Sequence, residues 1–306
     1  MPIVSKLRIE NDIKRLAVSP RNSRENPEQH AEAIDWIAKE FESIGLTVRR
    51  QSFAIPEQTP ERTGTNIIGE LNPDTRDARS EAPVLIGAHF DTVPGSPGAD
   101  DNASGVAAML ECARVLVEAN SQRRMTFVAF DAEELQPPVE GLHGSSEYVR
   151  GLEPESALAA AIIFESIGFS SSTVKQQLPG SFRFLFRRAY NALKQQKFEA
   201  NSLLILSKGS GRNVSRQLER SAAKPDVLLP ILPLEVPWWM PMVRNLRRSD
   251  HAPFWLAGVP AVMISDTGNF RNPHYHQPTD TPDTVDVDLV AKAASMVLDA
   301  IENGLI

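Results

Sequence analysis

The sequence predicts an α/β protein whose mostly parallel central sheet is covered by helices on both faces. Three observations carry that expectation. Short continuous apolar runs, "PVLIGAHFD" (83–91), "MTFVAFD" (125–131), "AIIFESIGF" (161–169) and "PAVMISD" (260–266), have the length and composition of strands buried on both faces. Segments with helical apolar spacing alternate with strands, the pattern of an α/β fold. Each apolar run leads into acids or histidines, and open α/β sheets place their sites at the carboxyl ends of their strands.

The elements follow in chain order. "NPEQHAEAIDWIAKEFESIGL" (26–46) spaces its apolar residues as a helix does, with Gly45 placed to end it. Strand-like "TVRRQSF" (47–53) and "TNIIGEL" (65–71) come next, then a polar loop (72–82) and the first buried run. "SGVAAMLECARVLVE" (104–118) reads as a helix, followed by the strand at 125–131, a short helix near 141–152 and the strand that holds Glu165. "RRAYNALKQQK" (187–197) is locally basic and spaced like the solvated face of a helix. Residues 200–248 are the least regular, because prolines interrupt the apolar run "LLPILPLEVPWWMPM" (228–242). That segment reads equally as a surface loop or as a cap or pocket wall, with Trp238 and Trp239 offering apolar faces to a ligand. "VDLVAKAASMVLDAIENG" (287–304) closes the chain as an amphipathic helix, and residues 1–306 read as one domain without repeats.

Composition narrows the function. The net charge of −7, with no basic stripe, argues against nucleic acid as a partner. The single cysteine, Cys112, excludes an intrachain disulfide framework, and its helical surroundings make it a core thiol. No window is apolar enough to span a membrane, and the charged N-terminus shows no secretory pattern, so a cytoplasmic location is expected. Oligomeric state is left open.

The polar residues gather at the strand ends. The first run leads to His89, Asp91, Asp100 and Asp101, the second to Glu133 and Glu134, the third carries Glu165, and the fourth leads to His274 and His276. Taken singly, a strand-end histidine is more often structural and paired acids are more often solvated. Four strands delivering such groups to one edge would repel one another unless cations neutralised them. Histidine and carboxylate donors without cysteine suit zinc, or less selectively manganese or cobalt. Two histidines and three carboxylates are enough for two ions that share a bridging carboxylate, as in two-metal hydrolases.

At these residues the chain resembles the M28 family of zinc aminopeptidases. "HFD", "GADDNASG", "AEE", "SDHAPFWLAGVPA" and "HYHQPTDT" occur in family order from about residue 26 to the C-terminus. The resemblance implies a zinc exopeptidase-like (phosphorylase/hydrolase-like) fold, two divalent metal ions, zinc foremost, and a peptide substrate. It implies that His89, Asp101, Glu134, Glu165 and His276 ligate metal, with Asp101 bridging. It makes Glu133 the general base, Tyr275 a donor to the oxyanion, and Asp91 the partner of the other His89 nitrogen. Asp100 is then loop-forming, His274 structural, and Asp250 and His251 support the pocket. Glu165 stands where the best-studied relatives have aspartate; its longer side chain allows a different mode of binding or metal choice, and the alternative is a structural glutamate paired with a nearby Arg or Lys.

The resulting expectation is an aminopeptidase. A carboxypeptidase or dipeptidase of the same superfamily is the alternative, with Arg244, Arg247, Arg248 or Arg271 clamping a substrate carboxylate. Less favoured are a glutaminyl cyclase with one zinc, against which His89 argues, and a non-catalytic binding module, against which Glu133 argues.

Overall fold

The apolar runs become the middle of one sheet. β3 (Val84–His89), β4 (Met125–Phe130), β5 (Ala160–Glu165) and β10 (Ala261–Ser265) lie in the order β4-β3-β5-β10 and run parallel. All residues of β3 and β4 are buried, as two-sided coverage requires. Antiparallel β1 (Thr47–Ile55) and β2 (Arg62–Leu71) extend the β4 edge. β8 (Leu203–Lys208), antiparallel to β10, and β9 (Ile231–Val236), parallel to β8, extend the other edge and complete eight strands. β6 (Ser171–Lys175) and β7 (Glu199–Ala200) form a separate two-stranded ribbon. The computed structural model describes residues 3–55, 62–74, 81–134, 141–153, 157–237, 239–240 and 246–303.

Alternation along the strands sorts the core into two layers. Val84, Ile86 and Ala88 of β3 face helices α1 (Lys6–Leu16), α2 (Pro27–Ile44), α3 (Gly105–Glu118), α7 (Gly211–Ala222) and α9 (Val287–Glu302). Leu85, Val128, Phe130 and Ile163 face Tyr148 of α4 (His143–Arg150) and Phe254 of α8 (His251–Leu256). Short α5 (Phe182–Leu185) and α6 (Arg187–Gln195) pack against Leu206, Leu232 and Leu234 at the β9 edge. Local sequence explains the helix ends. Pro27 begins α2, and Gly45 ends it at φ 99°, a left-handed conformation that costs glycine little. The Asp286 carboxylate caps α9 by accepting from the Leu289 amide at 3.2 Å.

The chain runs from β3 through α3 to β4, then crosses to β5 on the other side of β3. The crevice above β3 and β5 is therefore a topological switch point, where open α/β sheets bind ligands. His89 ends β3 and Glu165 ends β5.

Residues 200–248 depart from the irregular segment expected of them. They supply two strands and a helix of the main architecture, because Pro233 sits exposed on the edge strand β9, where a missing N–H is tolerated. Leu232, Leu234 and Val236 alternate inward around it. Trp239 is 62% exposed, so it is not a pocket wall, and Trp238 lies outside the described residues. The charged N-terminal stretch is helix α1, its first turn capped by the Ser5 hydroxyl. Among the described residues no helix is long and apolar enough to cross a membrane. Cys112 is buried in α3, where burial pushes its thiol pKa up.

Candidate metal centre

The loops after β3, β4, β5 and β10 converge on one cluster. His89 is 1% exposed, and its Nε2 lies 3.3 Å from Asp101 Oδ1, 3.4 Å from Glu165 Oε1 and 4.0 Å from Glu133 Oε2. The other Asp101 oxygen, Oδ2, lies 3.1 Å from His276 Nε2, which is itself 3.2 Å from Glu134 Oε2. Asp101 thus stands between two histidines. The ligand atoms form two groups that could each hold a metal ion, His89 with Glu133 and Glu165, and Asp101 with Glu134 and His276. Within each group they lie within 4.8 Å of one another. The donors fit metal chemistry on their own geometry: among the described residues, Asp101 Oδ1 and His276 Nε2 are buried without a hydrogen-bond partner, and the set mixes imidazole with carboxylate.

Each donor is held by its surroundings. The backbone enters the Asp101 turn through Gly98 at φ 63°, where a Cβ would meet the Asp101 carbonyl at 2.3 Å. Asp280 accepts the amides of Asp100 and Asp101 at 2.9 and 3.1 Å. Asn102 ties the turn to β5, donating to the Phe164 carbonyl at 2.9 Å and accepting the Ser166 amide at 3.0 Å. Asp100 accepts from the Gly168 amide at 2.7 Å and from Asn272 at 2.6 Å, so it braces loops and does not face the donors. Arg21, 1% exposed, donates to the carbonyls of Leu16, Phe90, Pro97 and Gly98 at 2.6–3.0 Å. Three of those bonds hold the loop between His89 and Asp101, and the fourth ties it to the end of α1.

Asp91 has a further task besides facing His89, whose Nδ1 lies 3.5 Å from its carboxylate. Its carboxylate accepts the backbone amides of Glu133 and Glu134 at 3.0 and 3.2 Å, and so fixes both acids. The nearest oxygen to His89 Nδ1 is the Asp91 backbone carbonyl at 3.2 Å, with the carboxylate behind at 3.5 Å. The short side chain leaves the strand just past His89 and reaches across to the β4 loop.

Tyr275 stacks on His276 at 3.9 Å between centroids, and its hydroxyl accepts from Arg248 at 3.2 Å. His274 bonds Thr279 at 2.9 Å and packs edge-on to Phe169, away from the donors. His251 bonds the Leu246 carbonyl at 3.1 Å and lines the adjoining cavity, while Asp250 is fully buried with no hydrogen-bond partner for its carboxylate among the described residues. Arg271 is buried with its terminal nitrogens donating to the Ser202 and Phe169 carbonyls at 2.5 Å, so it is not free to clamp a substrate. Arg244 lies outside the described residues, and Arg247 is exposed.

The acids and histidines control one another's protonation. Burial works against the charged form of His89, but Glu165 and Glu133 outweigh it and hold its pKa well above the usual value. His276 is likewise opposed by burial yet lifted to about 10 by Asp101 and Glu134. Burial, reinforced by Asp101, raises Glu134 to about 7. Burial also drives Glu133 well above the carboxylate range, against the pull of His89. Asp101 moves the other way: burial opposes its charge, but the His276 and His89 imidazoles beside it keep it below its ordinary value. Without metal, protons hold the cluster together; ions compete for the same lone pairs.

A cavity of about 210 Å³ opens beside Glu165 and Tyr275. Phe186, Leu204, Leu206, Leu234 and Met263 give it apolar walls, and Arg248 stands among its lining residues.

A sequence profile described as Peptidase family M28 matches residues 66–212 and 240–301, more than half of the chain. The Escherichia coli K12 protein called "Uncharacterized protein YfbL" is 28% identical over 298 residues, spanning 94% of this chain and 84% of its own. "Aminopeptidase YwaD" of Bacillus subtilis 168 is 27% identical over 278 residues, 86% of this chain but only 50% of that longer protein. Among solved structures, the one titled "The structure of BSAP, a zinc aminopeptidase from Bacillus subtilis" superposes with a TM-score of 0.75 over 99% of this chain and 96% of that one. At 18% identity that likeness is one of fold.

Proposed function

The chain belongs to peptidase family M28, and we propose that it is a two-metal aminopeptidase that hydrolyses the N-terminal bond of peptides. The observation that carries this reading is the pair of donor groups joined through Asp101. His89, Asp101 and Glu165 would hold one ion, and Asp101, Glu134 and His276 the other. Two such ions, zinc foremost, acidify water near neutral pH and polarise the carbonyl under attack. The family resemblance makes Glu133 the base; it stands 4.0 Å from His89 Nε2, farther than Asp101 at 3.3 Å and Glu165 at 3.4 Å, which is compatible with that role.

The protein groups do the rest. Glu133 takes a proton from the attacking water at a carboxylate oxygen and returns it to the leaving amine nitrogen. Asp91 holds Glu133 in place through the backbone amide. Because the Tyr275 oxygen already accepts from Arg248, its own proton is free for the carbonyl oxygen as negative charge develops there. The apolar cavity beside Glu165 supports a large aliphatic or aromatic N-terminal side chain as the preferred substrate feature.

A panel of N-terminal amino-acid amides, with C-terminal glutamyl peptides and an N-terminal glutaminyl peptide as controls, tests the reading on metal-depleted and zinc-loaded protein. Zinc-dependent release of apolar N-terminal residues is expected. Turnover of the C-terminal substrates alone, or cyclisation of the glutaminyl peptide with one zinc per chain, would overturn it.

A further inference from the structure

The cavity beside Glu165 has the sheet itself as its floor. Strand register sets Glu165 of β5 beside Ser265 of β10, Ser265 beside Leu204 of β8, and Leu204 beside Leu232 of β9. A second row, two residues along each strand and so on the same face, is Met263, Leu206 and Leu234. All of them line the cavity. The floor therefore crosses the neighbouring strands β5-β10-β8-β9. Its length follows from three strand intervals, about 14 Å, and its width from one two-residue step, about 7 Å. Phe182 and Leu185 of α5, and Phe186 between α5 and α6, complete the lining over it.

That space is larger and longer than an encoded apolar residue needs. A cavity of about 150 Å³ is enough for a benzene ring, and this one measures about 210 Å³. A leucine, methionine or phenylalanine side chain starting at the metal site would cover roughly half of the floor's length. The acid and the guanidinium in the lining, Glu165 and Arg248, belong to the metal-site end, since Arg248 donates to the Tyr275 hydroxyl at 3.2 Å. What β8 and β9 contribute is leucine alone. A polar or charged chain end placed against them would lose its water without gaining a partner. A staggered chain advances about 1.25 Å per atom, so eight atoms fill about 10 Å and leave room for contact at each end.

We infer that the cavity selects peptides whose N-terminal residue carries an unbranched apolar chain of about eight heavy atoms, as a cysteine alkylated on sulfur does. The hydrolysed bond is the one already proposed; this inference rests on that reading and names the N-terminal residues that satisfy it best.

The test is kcat/KM of the zinc-loaded enzyme on amides of 2-amino acids whose unbranched side chains hold two, four, six, eight and ten carbons, beside leucine amide and S-hexylcysteine amide. The value is expected to rise about threefold to fourfold per methylene as far as the eight-carbon chain, and to rise no further beyond it. S-hexylcysteine amide, with a chain of the same length, should match the eight-carbon substrate. Leu204→Trp, which fills the floor at β8, should move the plateau down to the four-carbon chain. That shift is read as the ratio of long-chain to leucine amide within one protein, so a general loss of activity cancels, and the wild-type series decides by itself if the variant does not fold. A wild-type series that is already flat from four carbons, with leucine amide turned over, would overturn the inference and leave the aminopeptidase reading standing. So would a Leu204→Trp series with the wild-type plateau. Release from no amide, short or long, would defeat the aminopeptidase reading itself, and this inference with it.

Discussion

Replacing Asp91 by asparagine tests how the fold positions its candidate base. The Asp91 carboxylate accepts two backbone amides, from Glu133 at 3.0 Å and Glu134 at 3.2 Å, and is 2% exposed. Asparagine has the same shape but one acceptor oxygen, so one of the two amides would face an NH₂ group. The loss is one hydrogen bond to a charged group, about 1.5–3 kcal/mol, and the amide left unpaired in a buried place adds about 1–3 kcal/mol. We expect Asp91→Asn to lower unfolding stability by about 2.5–6 kcal/mol in urea. Both acids would then shift, and misplacement on the order of 1 Å costs about 100-fold in rate. The assay is therefore paired: a urea denaturation curve and kcat/KM on an N-terminal leucine amide. A variant within about 0.5 kcal/mol of wild type, the range of ordinary surface changes, and with unchanged kcat/KM, would refute the positioning role.

The remaining predictions concern protons, loops and the oxyanion donor. In metal-free protein Glu134 is raised from 4.5 to about 7 and His276 from 6.5 to about 10, both opposed or driven first by burial and then set by Asp101 and each other. Both values lie above their unfolded ones, so each contributes stability that is present at low pH and lost as pH rises, through 4.5–7 for Glu134 and 6.5–10 for His276. Zinc must displace those protons, so the rise in melting temperature on adding zinc should grow between pH 5 and pH 8; a constant increment would contradict the coupling. Arg21→Met would leave the Leu16, Phe90, Pro97 and Gly98 carbonyls without their donor and should cost about 3–5 kcal/mol, read by urea denaturation. Tyr275→Phe should reduce kcat about 100-fold with little change in KM, as losing an oxyanion donor does. Arg248→Met should reduce it less and add little to Tyr275→Phe, because the two groups act as one; additive losses would separate them.

Much of the centre was legible because burial on both faces leaves an unmistakable pattern. β3, β4, β5 and β10 are continuous apolar runs, and the acids and histidines that end them stand at one edge. The groups that hold those donors were not legible. Arg21 lies in "SPRNSREN", which reads as a polar surface turn, and its partners are backbone carbonyls that any sequence supplies. Asp280 is a turn residue by its neighbours, and only the fold shows it accepting two amides some 180 positions away. β9 was hidden because Pro233 masks the alternation of Leu232, Leu234 and Val236, and an edge strand permits a proline there. Ser249 opens the legible "SDHAPFWLAGVPA" stretch, but only the fold shows its hydroxyl meeting Glu165, 84 positions earlier.

The central claim is that Glu133 is the proton carrier of a two-metal peptidase, and one sample decides it. Zinc content and release of an N-terminal amino acid should be measured together on zinc-loaded Glu133→Gln, beside wild type. The account predicts two zinc ions per chain in both proteins and turnover lowered about 100- to 10,000-fold in the variant. Near-normal turnover with two bound ions would contradict it.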